Sequence, residues 1–144
     1  MKTVRQMLQA KGFDIWTVDP DTSVYDTLKL MAEKNVGALL VMREGKLLGI
    51  FSERDYARRM ILQGKHSKDT LVMEVMTENP ICVSPDKTVE ECMELMTNNH
   101  VRHLPVFDGG RLFGIVSIGD VVKAIITEQQ GTITDLENYI TGKR

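Results

Sequence analysis

The sequence predicts a mixed α/β fold made of two copies of one β-α-β-β-α unit. Three observations predict it. A repeat shifted by 65 residues carries Asp55 onto Asp120. Within each copy the hydrophobic period changes from strand-like to helix-like and back. The same Gly-apolar-apolar-Ser-x-x-Asp segment closes the last strand of both copies.

The repeat is plainest where Asn35-Val36-Gly37-Ala38-Leu39-Leu40-Val41 matches His100-Val101-Arg102-His103-Leu104-Pro105-Val106. It keeps register upstream without a gap, setting Val18-Asp19-Pro20-Asp21 against Val83-Ser84-Pro85-Asp86. A helix-like lead of residues 1–11 precedes the first copy (12–73), the second copy is 74–130, and a helical tail occupies 131–144. Each copy opens on a short strand, 15–18 or 81–83, that ends at a Pro-Asp turn. A helix follows, started by Ser23 or Thr88, with Val24, Leu28 and Met31, or Val89, Met93 and Met96, at helical spacing. Two strands come next, 39–42 and 46–51, or 104–107 and 111–116, joined by Gly-containing loops that suit hairpins. The last helix begins after Ser52 or Ser117 and carries Tyr56, Met60 and Ile61, or Val121, Val122 and Ile125. In the tail, Ile133, Leu136 and Ile140 recur at helical spacing, with Thr132 or Thr134 as the expected N-cap. That helix suits either a dimer contact or packing on its own chain.

Length and composition fit this plan. A chain of 144 residues suits one compact domain or two interlocked half-domains. Its 42% hydrophobic and 26% charged residues are ordinary for a soluble globular protein. One copy of about sixty residues is a marginal core, so two copies packed sheet against sheet would each bury what the other exposes. The nine methionines read as adaptable core filler. A net charge of −2 argues against a general nucleic-acid binder, although Arg54, Arg58 and Arg59 cluster locally. No apolar run approaches a membrane span, and the first residues lack the apolar stretch of a signal peptide. Cys82 and Cys92 form no CxxC pair, so both are expected as thiols in the cytoplasm, without a metal or redox role.

Gly49-Ile50-Phe51-Ser52-Glu53-Arg54-Asp55 and Gly114-Ile115-Val116-Ser117-Ile118-Gly119-Asp120 carry the functional signal. Ser followed three residues later by an acid is, first, a way to start a helix: the hydroxyl caps an amide and the carboxylate faces the positive end of the dipole. The same geometry suits a ligand. Amides and a hydroxyl at a helix start favour phosphate, a carboxylate can accept from the vicinal hydroxyls of a ribose, and a glycine in the strand lets a ligand approach the backbone. The pattern stands at both equivalent positions, which favours function.

The tandem repeat, its order of elements and both motifs resemble a cystathionine-β-synthase (CBS) domain pair, or Bateman module, over roughly residues 9–130. The resemblance implies two units around a pseudo-twofold axis, with adenosine-containing ligands in two clefts between their sheets. It implies that Asp55 and Asp120 hold ribose and that Ser52 and Ser117 contact phosphate, with Ile50 and Ile115 among the contact residues. The adenine walls would come from Ile15 and Trp16 for the Asp120 site and from Pro80 and Ile81 for the Asp55 site. AMP, NAD or NADH are the expected ligands, with ATP or S-adenosylmethionine as alternatives, one cleft taking a mononucleotide and the other a longer ligand. A homodimer or higher homo-oligomer is the expected assembly, with no membrane or nucleic-acid partner. The resemblance implies a sensor rather than an enzyme.

The two sites differ. Arg54 and Arg58 can reach phosphate in the first; Arg102 and His103, which could equally be an exposed polar pair, stand in for them in the second. As an enzyme, the chain would have to assemble His100, His103, Cys82, Cys92, Glu91 and Glu94, none of which has a ligand spacing or a nucleophile-base arrangement. The alternative function is a ligand-free dimerisation module.

Overall fold

The computed structural model describes residues 2–141. In chain order its elements are α1 (Val4–Lys11), β1 (Thr17–Val18), α2 (Val24–Lys34), β2 (Ala38–Arg43), β3 (Lys46–Ser52), α3 (Glu53–Tyr56), β4 (Thr77–Glu78), α4 (Val89–Asn99), β5 (His103–Asp108), β6 (Arg111–Ser117) and α5 (Ile118–Thr141). A π-helical segment, Ala57–Ile61, continues α3, and a 3-10 turn, Val72–Glu74, precedes β4. The expected β-α-β-β-α order holds in the first copy, the second lacks its opening strand, and the fold is mixed α/β.

The chain divides into two units. One is Ile15–Ile81; the other joins the segment up to Asp14 with the chain from Cys82 onward. In the first, β1 runs parallel to β2, and β2, β3 and β4 pair antiparallel. In the second, β5 and β6 form a hairpin, and the expected strand at 81–83 shrinks to one parallel bridge, Val83 to Val106. The registers coincide under the 65-residue shift: Leu39 faces Phe51 as Leu104 faces Val116, and each ladder slips once, after Val41 or Val106. Both hairpins turn on two residues of positive φ, Glu44-Gly45 and Gly109-Gly110, as a two-residue hairpin loop requires.

The segment ahead of each repeat packs in the unit of the other repeat. Val4 N donates to Lys87 O (2.8 Å) and Val89 N to Lys2 O (2.9 Å), joining the lead to the second copy. Val72 N donates to Thr22 O (2.8 Å) and Val24 N to Thr70 O (2.8 Å), joining residues before the second copy to the first. This moves the packing boundary from the sequence repeat's edge at 73 to Ile81, because β4 completes the sheet of the first copy. The core of that unit mixes Val24, Met31, Leu39, Val41 and Phe51 with Val72, Val75 and Met76 of the exchanged segment. Their counterparts Val89, Met96, Leu104, Val106, Val116, Val4, Met7 and Leu8 are likewise buried. Met7, Met31, Met60, Met76 and Met96 lie in the interior as core filler, whereas Met73 is 44% exposed.

Glycine in the last strand has a packing reason. A Cβ on Gly49 would lie 2.6 Å from Met76 Sδ and 2.7 Å from Thr77 O; one on Gly114 would lie 2.8 Å from Leu8 Cδ1. Both positions are kept bare so that the exchanged segment can lie against the strand.

The tail departs from expectation. No new helix starts near residue 132; α5 runs unbroken from Ile118 to Thr141. Gly131 is absent from the positive-φ residues, so it takes no C-cap geometry and the helix passes through it. Ile61 and Val122, expected to face inward, are 61% and 41% exposed. The π-helical segment shifts the helical phase beyond Met60, whose side chain remains buried.

Candidate functional site

Ser52 ends β3 in extended conformation (φ −123°, ψ 166°) and begins α3. Its Oγ accepts from Asp55 N (3.3 Å), while Asp55 Oδ2 accepts from Ser52 N and Ser52 Oγ, both at 3.0 Å. The other carboxylate oxygen, Oδ1, accepts from Thr77 Oγ1 of β4 (3.0 Å). Ser117 and Asp120 repeat the reciprocal pair: Asp120 N donates to Ser117 Oγ (3.2 Å) and Ser117 N to Asp120 Oδ2 (2.8 Å). Here the third partner is a cation. Lys11 Nζ, at the end of α1, donates to Asp120 Oδ2 (2.6 Å) and to Ile115 O (2.9 Å). Asp120 Oδ1 makes no hydrogen bond among the described residues. Each motif is therefore a capping box, with its acid held in place from the exchanged segment.

The ladder brings Arg102 and His103 to the second box. His103 pairs in register with Ser117, and Ile118 N donates to Arg102 O (2.8 Å). In the first unit Ala38 pairs with Ser52, and Glu53 N donates to Gly37 O (3.1 Å), so small residues line that mouth. The Arg102 side chain is exposed and that of His103 half-buried. Near the first box, Arg54 is half-buried and Arg58 is exposed on the π-helical segment. Arg59 reaches Met76 O (2.7 Å) and Val75 O (3.3 Å), which ties its guanidinium to the backbone of the exchanged segment.

Ile50 is buried between Leu40 and Thr77 in the sheet, whereas Ile115 is half-buried and offers its carbonyl to Lys11. Pro80 and Ile81, expected beside Asp55, follow β4 within the same unit and are half-buried. Ile15 and Trp16, expected beside Asp120, fall in the unit that holds Asp55. Trp16 is 38% exposed, with Lys34 Nζ 4.2 Å from its ring centroid.

Lys11 and Thr77 are the contributors that sequence reasoning missed. Neither belongs to a motif; only their place in the segment ahead of a repeat, once the exchange is known, points to them. Among the described residues no group of three or more His, Cys, Asp and Glu could hold a metal ion. His100 caps α4 in left-handed conformation and His103 opens β5. Cys82 and Cys92 form no disulfide. Burial, reinforced by the charge of Glu91, pushes the Cys92 thiol up to about 11, and burial raises that of Cys82 as well. No helix among the described residues is long and apolar enough to cross a membrane.

The family model described as CBS domain matches this chain twice, over residues 9–62 and 72–127. The mitochondrial CBS domain-containing protein CBSX3 of Arabidopsis thaliana is 42% identical over 150 residues, spanning 97% of this chain and 72% of that protein. A solved protein with CBS domains from Burkholderia ambifaria MC40-6 shares 50% identity with a TM-score of 0.86, covering 89% of this chain and 96% of its own. The CBS domain pair of protein MJ0100, solved in complex with 5′-methylthioadenosine and S-adenosyl-L-methionine, is 25% identical with a TM-score of 0.79, covering 89% of this chain and 98% of its own.

Proposed function

This chain belongs to the CBS-domain family, and we propose that it is a stand-alone regulatory pair that binds adenosine-containing nucleotides at its two Ser-x-x-Asp boxes without chemically altering them. The observation that carries this reading is the doubled box, the same Ser-Asp hydrogen bonds at equivalent junctions 65 residues apart. A helix start needs an acid at that position only for modest gain, so keeping one in both copies favours a second use. Asp55 and Asp120 accept from ribose hydroxyls, as the acid of dinucleotide folds does. Ser52 and Ser117 meet phosphate, aided by Arg54 and Arg58 in the first site and by Arg102, His103 and Lys11 in the second. Ile50, Ile115, Pro80, Ile81, Ile15 and Trp16 supply apolar contacts for adenine.

Support for the ligand class comes from MJ0100, whose two bound molecules both contain adenosine. Both boxes take an adenosine-containing ligand, with different preferences set by Arg54 and Arg58 in the first and by Arg102, His103 and Lys11 in the second. Self-association and a cytoplasmic setting belong to the same proposal. Thermal-shift measurements with AMP, ATP, NAD, NADH and S-adenosylmethionine test it. A ligand at a hundred times its dissociation constant stabilises by about 2.7 kcal/mol, and no shift with any of them would leave the dimerisation module as the better account.

A further inference from the structure

α5 is a 24-residue helix whose buried side chains, among those described, lie in its first two turns. Val121 and Ala124 are buried, and beyond Ala124 no described side chain is. A helix of that remaining length with no buried side chain among those described is marginal in water. Its apolar residues are not scattered. Val122, Ile126, Ile133, Leu136 and Ile140 are exposed, from 41% at Val122 to 81% at Ile140. With Gln129 they space as four, three, four, three and four residues, the alternation of a heptad seam.

We propose that α5 is one strand of a parallel two-stranded coiled coil formed with a second copy of this chain. A seam of period 3.5 is self-complementary: it fits another helix with the same stripe, whereas a helix packed on its own globular core carries a wider apolar face. Isoleucine at Ile126, Ile133 and Ile140 occupies one seam position, and Val122, Gln129 and Leu136 the other. β-branched residues at the first position with Leu at the second favour two parallel strands. Gln129 decides the direction. In parallel register it meets its own copy, and the two amides satisfy each other. The antiparallel register would set Gln129 against Ile133 and gain at most a pairing of Lys123 with Glu137 at the rim. An amide buried without a partner costs more than an exposed ion pair returns. Two such faces bury on the order of 1,000 Å² in all, enough for a specific interface. This inference deepens the self-association proposed above and is independent of nucleotide binding.

The test uses the full chain with Cys82→Ser, so that an introduced cysteine is the accessible thiol. Ile140→Cys should form an interchain disulfide on mild oxidation, because the parallel register sets the two positions side by side. In the antiparallel register they would stand about 27 Å apart along the axis. Ile133→Asp should raise the dimer dissociation constant roughly a hundredfold, with an unchanged melting profile at concentrations where both proteins are monomeric. A wild-type chain that sediments as a monomer at every concentration would overturn self-association itself. A dimer that persists with Ile133→Asp would overturn the seam while leaving self-association standing. Cross-linking of Val122→Cys/Ile140→Cys without cross-linking of Ile140→Cys alone would overturn the parallel direction.

Discussion

Lys11 Nζ lies 2.6 Å from Asp120 Oδ2, while the equivalent acid, Asp55, receives a neutral hydroxyl, Thr77 Oγ1, at 3.0 Å. Both partners come from the segment ahead of a repeat, so the exchange of those segments gives the two boxes different charge. The pair around Asp120 is partly exposed, with side chains 34% and 21% accessible. Lys11→Met should therefore cost about 1 kcal/mol or less in urea denaturation, and more at low salt than at high salt. Thr77→Val should show no such salt dependence.

The bare strand positions predict an asymmetry. Alanine at Gly49 would press on the Thr77 carbonyl, which cannot move without disturbing β4, whereas alanine at Gly114 would meet only the end of the Leu8 side chain. Gly49→Ala should cost about 2–3 kcal/mol by denaturant unfolding and Gly114→Ala about 1 kcal/mol. Equal losses would mean that the exchanged segments pack differently from this account.

Cys92 is buried and its thiol is raised to about 11, so at neutral pH it should react with a thiol reagent only after unfolding, and Cys82 should react first. The same shift sets a pH dependence. The folded state keeps the Cys92 proton that the unfolded chain loses, so this contribution to stability is full below about pH 9 and falls as pH rises towards 11. Cys92→Thr should remove that alkaline loss, since Thr27 fills the equivalent buried position with its hydroxyl bonded to Ser23 O (2.8 Å).

Much of this was legible because it is local. Capping residues Ser23, Thr88, Ser52 and hairpin glycines act over three or four positions, and a duplicated sequence doubles each signal. The exchange of segments was not legible. Its hydrogen bonds join Val4 to Lys87 and Val72 to Thr22, and local period carries no trace of such pairing. Arg5 illustrates the consequence. Where Arg43 reaches Asp19 and Asp21 in the first unit, the second has Asp108 facing Asp86, and Arg5 from the exchanged lead stands 3.6 Å from Asp86 and 4.0 Å from Asp108. The length of α5 escaped for another reason. Thr132 and Thr134 read as the N-cap of a new helix, yet the helix passes through Gly131 just before them, because one helix-interior glycine costs only about 1 kcal/mol. In the sites, Ser52, Asp55, Ser117 and Asp120 were visible as a motif, whereas Lys11 and Thr77 became visible only through the fold.

Calorimetric titration of AMP into the wild-type chain and into Asp55→Ala, Asp120→Ala and the double variant tests the nucleotide reading most directly. Each single substitution removes one capping acid at a cost of about 1 kcal/mol, so all four proteins should remain folded by circular dichroism. Each should weaken one site at least tenfold, a loss of about 1.4 kcal/mol of binding, and the double variant should bind no AMP. A folded double variant that binds AMP as tightly as the wild type would contradict the account.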